Sequence, residues 1–431
     1  MAKAKETERD MWDILKIYVP IALLIVAGFV VTWQFVDPAP PKTITIATGA
    51  TDGAYSASAE SYRKILAEAG VEVKIRATAG AAENLRLLTD PASGVDIAFA
   101  QGGIGDPFGA PELMSIASVF LEPLWVFVRA DVTGDRLTAL KGKRIAIGVP
   151  GSGTRVLAKT LLVASGVDDE NATFQSIGSS EAARALEAGE IDALFTVSAR
   201  VSETMNRLLR NPDIRIMNFS QAEAYKRLYL YLSTVPVPEG VLALDLNAPP
   251  RDLTLLAPTA ALVARNDLHP AMVDLVLGAA TRVHQPGSLF SAVGAFPSPN
   301  YVDFPLSEDA RRYFKSGPTF LRRVLPFWAA VMVERLLILL VPLITIMIPL
   351  MKIAPPAYRW GVRRKIYRWY KQLREIEAQM RADDSAVNKE QLVQELDRVQ
   401  VQVGQLHVPL SYAENLYHLR LHIAFVRTLV A

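Results

Sequence analysis

Two glycine-punctuated strand-to-helix junctions constrain this 431-residue chain more than any other feature. The first reads Thr43-Ile-Thr-Ile-Ala-Thr-Gly-Ala-Thr-Asp-Gly-Ala-Tyr55 and the second Arg144-Ile-Ala-Ile-Gly-Val-Pro-Gly-Ser-Gly-Thr-Arg155. In each, a short β-rich run gives way to glycines, and a stretch of helical composition follows at 54–69 and 156–164. A helix start leaves backbone N–H groups unpaired and carries the positive end of the helix dipole. Two such starts facing each other across a cleft hold an anionic solute. The junctions therefore point to a two-lobed binding protein for a small carboxylate.

Strand and helix signals alternate around these junctions. Strands are expected at 44–47, 71–76 and 95–99, with helices at 54–69 and 81–88. Such alternation argues for a doubly wound α/β lobe with a mostly parallel sheet, in which ligands sit beyond the carboxyl ends of the strands. The loops at 48–55, 78–84 and 101–105 share that edge. Residues 129–255 form a second lobe, while a strand at 259–264 and a helix at 271–283 return the chain to the first, which comprises 42–128 and 256–322. Crossing twice between lobes makes a hinge of two strands, and closure upon binding follows.

Residues 17–36 carry no charge, have Tyr18 and Trp33 near their ends, and are long enough to span a bilayer as an uncleaved anchor. A second apolar run at 327–351 contains Glu334 and Arg335, and Pro342 and Pro349. Its ion pair is either functional or snorkels from near a helix end. Eight basic residues and no acid lie between Lys352 and Arg374, which the positive-inside tendency places in the cytoplasm. The expectation is a two-pass protein of the bacterial inner membrane, with a periplasmic binding domain, a cytoplasmic N-terminus at 1–16 and a cytoplasmic helical domain at 352–431. In that tail, Ile366, Trp369, Leu373, Ile376 and Met380, then Leu392, Leu396, Val399, Val403 and Leu406, then Tyr412, Leu416, Leu419, Ile423 and Val426 step by three and four. Three amphipathic helices, separated at Asp383-Asp-Ser385 and His407-Val-Pro409, form a bundle or coiled coil.

The succession Ala47-Thr-Gly-Ala-Thr-Asp-Gly-Ala-Tyr55, Glu83-Asn-Leu-Arg-Leu-Leu88, Asp96-Ile-Ala-Phe-Ala-Gln101, Leu140-Lys-Gly-Lys-Arg144, Gly148-Val-Pro-Gly-Ser-Gly-Thr-Arg155 and Glu187-Ala-Gly-Glu-Ile-Asp-Ala-Leu-Phe195 resembles the TAXI family of solute-binding proteins over residues 42–285. These serve TRAP-type, ion-gradient-driven transporters. The resemblance implies a type II periplasmic-binding-protein fold, a ligand such as glutamate, 2-oxoglutarate or a dicarboxylate, and TRAP permease subunits as partners. It also implies a pocket in which Gly49, Thr51, Gly53 and Tyr55 supply the first loop, Asn84 and Gln101 its neighbours, and Ser152, Gly153, Thr154 and Arg155 the facing lobe. The family's first loop reads Gly-Gly-Thr-Gly-Gly, where this chain has Ala50 and Asp52. Asp52 either caps the helix from Gly53, faces an ammonium group, or points into the pocket and argues against an anion. Family members also lack a second membrane span and a tail.

Other readings compete at single residues. The 148–154 loop lacks the Lys-Ser/Thr ending of a nucleotide-binding loop, and it is otherwise a plain glycine turn. Arg155, in a first helical turn where the dipole disfavours a cation, pairs with ligand, bridges to the other lobe, or is solvated. Arg200 presents the same choice. His418 and His422 have metal-pair spacing but no third ligand in view, so they read as a solvated helix flank. Cysteine is absent, which excludes disulfides, Cys-ligated zinc and thiol catalysis, and a net charge of +2 gives no nucleic-acid footprint. With no Ser/His/Asp set, no metal cluster and no paired acids, the chain is expected not to be an enzyme and to need no cofactor or metal. A sensor acting through a cytoplasmic partner of the tail, or a scaffold with an empty cleft, are the alternatives to transport.

Overall fold

The structure, a computed structural model, describes residues 19, 22–23, 25–34, 38–381, 389–406, 408 and 412–430. It divides into two compact units, one of residues 38–333 and one of residues 1–37 with 334–431.

Strands and helices alternate through the first unit: β1 (Thr43–Ala47), α1 (Ala54–Glu68), β2 (Glu72–Arg76), α2 (Ala81–Thr89), β3 (Ile97–Gln101), β4 (Leu113–Leu121), β5 (Leu124–Arg129), β6 (Arg144–Ala146), α3 (Gly153–Ala164), β7 (Thr173–Gln175), α4 (Ser179–Glu187), β8 (Ala193–Val197), α5 (Glu203–Leu209), β9 (Ile214–Ile216), α6 (Ala222–Leu228), β10 (Leu232–Val237), β11 (Leu253–Arg265), α7 (Pro270–His284), α8 (Glu308–Ser316) and α9 (Phe320–Val324). Two sheets share β11. In the first, β2, β1 and β3 run parallel, and β3 and β4 flank the second half of β11 antiparallel, with Ala98 opposite Val263. In the second, β10 and β5 pair with the first half of β11, β8 and β9 pair with β5, and β6 and β7 extend parallel from β8. The chain thus crosses between sheets twice, once along β11 and once at Glu122-Pro123. β5 belongs wholly to the second sheet, so the first crossing precedes it.

The sequence of β11, Leu-Thr-Leu-Leu-Ala-Pro-Thr-Ala-Ala-Leu-Val-Ala-Arg, explains this role. It is apolar almost throughout, as a strand covered on both faces must be, and it is buried over nearly its whole length. Pro258 lacks an N–H to donate and sits where the pairing passes from β10 to β4. Helices cover both sheets. Tyr62, Leu66, Phe99, Met272 and Leu277 fill one side of the first sheet, and Leu85, Leu88, Val95 and Phe304 the other. Trp125, Phe127, Leu157, Leu161 and Phe195 centre the second.

The second unit contains α11 (Lys389–Gly404), α12 (Ala413–Val430) and all but the first turns of α10 (Phe327–Arg381). Ile366, Trp369, Leu373 and Ile376 of α10 pack with Leu392, Leu396, Val399 and Val403 of α11 and Leu416, Leu419, Ile423 and Val426 of α12 in one buried cluster. Asp383-Asp-Ser385, His407 and Pro409 lie outside the described residues.

The two-pass placement in the bacterial inner membrane, with both termini cytoplasmic, is corrected. Among the described residues, no helix is long and apolar enough to cross a membrane. The 327–351 run is the start of a continuous 55-residue helix that goes on into the basic stretch to Arg374. Glu334 and Arg335 interrupt its apolar part, and the uncharged remainder falls short of the ~20 residues a span requires. Of the 17–36 run, residues 17, 18, 20, 21, 24, 35 and 36 lie outside the described residues.

Leu262 is fully buried between β3 and β4. Leu262→Ala is expected to destabilise the first unit by about 2–5 kcal/mol, read as a lower midpoint in urea.

Candidate functional site

A cleft of about 490 Å³ lies between the two sheets' lobes, and five helix starts open onto it. They are Gly53-Ala-Tyr55 at α1, Gly80-Ala81 at α2, Ser152-Gly-Thr154 at α3, Gly178-Ser-Ser180 at α4, and Ser202 and Thr204 at α5. Each follows a strand end at the same edge, because a parallel strand must turn into its crossover helix there. Glycine caps α1, α2 and α4, and no cap side chain takes their first N–H groups. At α3, by contrast, Ser152 Oγ accepts from the Arg155 N–H at 3.2 Å. Ahead of α2, Glu83 reaches back to the Ala79 N–H at 2.7 Å. The cleft is thus met by glycine caps at α1, α2 and α4 and by a serine cap at α3.

The walls touch at one rim. The Glu83 N–H donates to Gly151 O at 3.1 Å, and Gln101 Nε2 donates to Gly153 O at 3.3 Å. This approach requires glycine: Gly80 has φ +132°, and a Cβ there would lie 3.3 Å from Ser152 Cα. A Cβ on Gly153 would collide with the Gln101 side chain.

Of the residues expected in the pocket, Gly49, Gly53, Tyr55, Gln101, Ser152, Gly153 and Thr154 line this cleft. Three do not. Thr51 is an exposed turn residue. Asn84 is fully buried beneath the cleft, where its Nδ2 donates to Thr48 O and to Phe99 O at 2.8 Å while its Oδ1 accepts from Thr78 Oγ1 at 2.6 Å. It ties the ends of β1 and β3 together. Arg155 turns back to Gly148 O and Ser176 Oγ, bracing the 148–152 loop from behind. Asp52 lines the cleft and makes no cap to α1. Arg200 lies in a separate depression beside Phe120 and His284. In the tail, His422 pairs with Glu377 at 2.7 Å.

Sequence reasoning missed Glu122, Glu181, Arg184 and Thr196, all of which line the cleft. Arg184 is exposed there on α4. Glu122 was signalled only by being a lone acid between two apolar strands. It is 5% exposed, and Tyr55, stacked on Phe99 with ring centroids 5.0 Å apart, donates its phenol hydrogen to Glu122 Oε2 at 2.8 Å. Burial pushes the Glu122 carboxyl up to about 8 and the Tyr55 phenol well above its ordinary range.

Glu122 binds a proton in the folded chain that the unfolded chain has lost above its ordinary value of 4.5. Stability is therefore expected to fall as pH rises from 4.5 toward 8, at a rate of about 1.4 kcal/mol per pH unit at most. Glu122→Gln should remove that slope in denaturant titrations across the interval.

The alkanesulfonate-binding protein SsuA from Xanthomonas axonopodis pv. citri, bound to MOPS, is similar at 16% identity and TM-score 0.36, over 57% of this chain and 74% of that one. The periplasmic aliphatic sulphonate binding protein SsuA from Escherichia coli is similar at 14% identity and TM-score 0.37, over 56% and 72%. An ancestral arginine-binding protein bound to arginine is similar at 15% identity and TM-score 0.38, over 58% and 95%. The architecture is α/β, with two lobes joined by two crossing strands. A protein-family model described as the NMT1-like family matches residues 46–315, more than half of the sequence, and the chain belongs to that family.

Proposed function

We propose that this chain captures a small organic carboxylate between its lobes and hands it to a transporter. The observation that carries this reading is the convergence of five helix starts on one cleft, three of them capped by glycine with no side chain on their first N–H groups. Arg184 adds a guanidinium on the same wall. Together they supply hydrogen-bond donors and a guanidinium with which a carboxylate can pair. The motif succession that resembles TAXI receptors favours glutamate, 2-oxoglutarate or a C4-dicarboxylate as ligand, and a TRAP-type permease as the recipient. Closure brings the glycine rims together over the bound solute, with β11 and the Glu122-Pro123 crossing as the hinge.

The test is calorimetry on the full chain, dialysed to strip carried-over ligand, with L-glutamate, 2-oxoglutarate and succinate. Saturable heat with at least one is expected. Arg184→Ala should weaken that binding about 10- to 100-fold, the scale of one charge-assisted hydrogen bond. Gly153→Val should abolish it by holding the rims apart against Gln101. Absence of heat with all three compounds would sink the carboxylate reading.

A further inference from the structure

Glu122 poses a problem for a cleft that takes anions. Its carboxyl lines the cleft and is 5% exposed, yet burial and the Tyr55 hydrogen bond alone govern its ionisation, with no cation contributing. The titratable and charged groups that line the cleft with it are Asp52 ahead of α1, Tyr55 on α1, and Glu181 and Arg184 on α4, and Arg200 after β8 lies in the neighbouring depression lined by Phe120. Beyond Phe120, His284 of α7 is kept neutral by burial, which pushes it down to about 4. An ionised Glu122 would face an incoming carboxylate as a like charge in a poorly hydrated place, an arrangement costly to both.

The geometry resolves the conflict if the carboxyl is neutral. Tyr55 donates to Oε2, leaving Oε1 with the carboxyl hydrogen, and a neutral carboxyl beside an anion is a hydrogen-bond donor. Resting on the reading of the cleft as a carboxylate site, we propose that Glu122 is a specificity-determining residue that meets the ligand's anionic oxygen with an O–H donor, so that the anion is captured only while Glu122 holds its proton. No covalent bond breaks in the step. The proton stays on Oε1 in an O–H···O⁻ bond, and when Glu122 starts ionised, one proton is taken up from solvent with the ligand. Its position gives the contact a second consequence. The Glu122 N–H donates to Pro258 O at 2.9 Å, and the Ser198 N–H donates to Pro123 O at 3.1 Å, so the reading group stands where the two crossing strands meet.

The experiment is calorimetry of the full chain with L-glutamate, 2-oxoglutarate and succinate from about pH 6 to about pH 9, in buffers of different ionisation heat. Affinity should be level up to about pH 8 and fall about tenfold per unit above it, with one proton taken up there. Glu122→Gln, whose amide offers an acceptor to Tyr55 and a donor to the ligand but no titrating proton, should lose the break. Tyr55→Phe, lacking the bond that favours the ionised form, should move the break to higher pH. Infrared spectroscopy at about pH 7 should show a protonated-carboxyl band that Glu122→Gln lacks. A level profile through pH 9 in the unmodified chain, or absence of that band, would overturn the proposal and leave the carboxylate reading standing. No heat with any of the three compounds would defeat that reading, and the proposal with it.

Discussion

The shared strand β11 is the constraint on which the rest of the structure depends. A 13-residue strand buried along nearly its whole length must be covered twice, and its two halves recruit different partners because Pro258 ends one pairing and begins another. Once β11 passes from sheet to sheet, the second crossing at Glu122-Pro123 has to lie beside it. The strands on either side then turn into their helices at facing edges. The cleft is a product of strand pairing before any ligand-binding side chain is chosen.

Backbone supplies much of what lines that cleft. Glycine caps at α1, α2 and α4 offer no side chain to the first N–H groups, while Ser152 takes one of those of α3. This division of labour lets the rim side chains be small, so Gly80, Gly151 and Gly153 allow the walls to meet. Asn84, invisible from the cleft, holds β1 and β3 in register by joining Thr48, Thr78 and Phe99. Its fixed geometry underlies the position of the first loop.

Much of this was legible in the sequence. The glycine junctions announced two of the five helix starts, and the alternation of strands and helices announced the α/β lobes. The three- and four-step stripes in the tail contain the residues buried among α10, α11 and α12. What escaped was anything decided by direction or by long-range pairing. Arg155 sits in the right loop but points behind it, and Asn84 follows the right strand but is consumed by main-chain carbonyls. Glu122 escaped notice between two strands, because only pairing with β11 makes that junction the floor of a cleft. The membrane reading failed for a related reason: an apolar count over residues 327–351 carries no information about the 55-residue helix in which that run is embedded.

The bare rim separates two properties that ordinary pockets entangle. Where Gly80 and Gly151 meet the opposite wall through main chain, the shutting motion owes little to side-chain chemistry. Under the proposed reading, recognition rests instead on the floor at Glu122 and Tyr55 and on the α4 wall at Arg184. On that reading, descendants of such a chain could exchange one ligand for another by altering a few inward-facing positions, while the glycine rims are inherited unchanged.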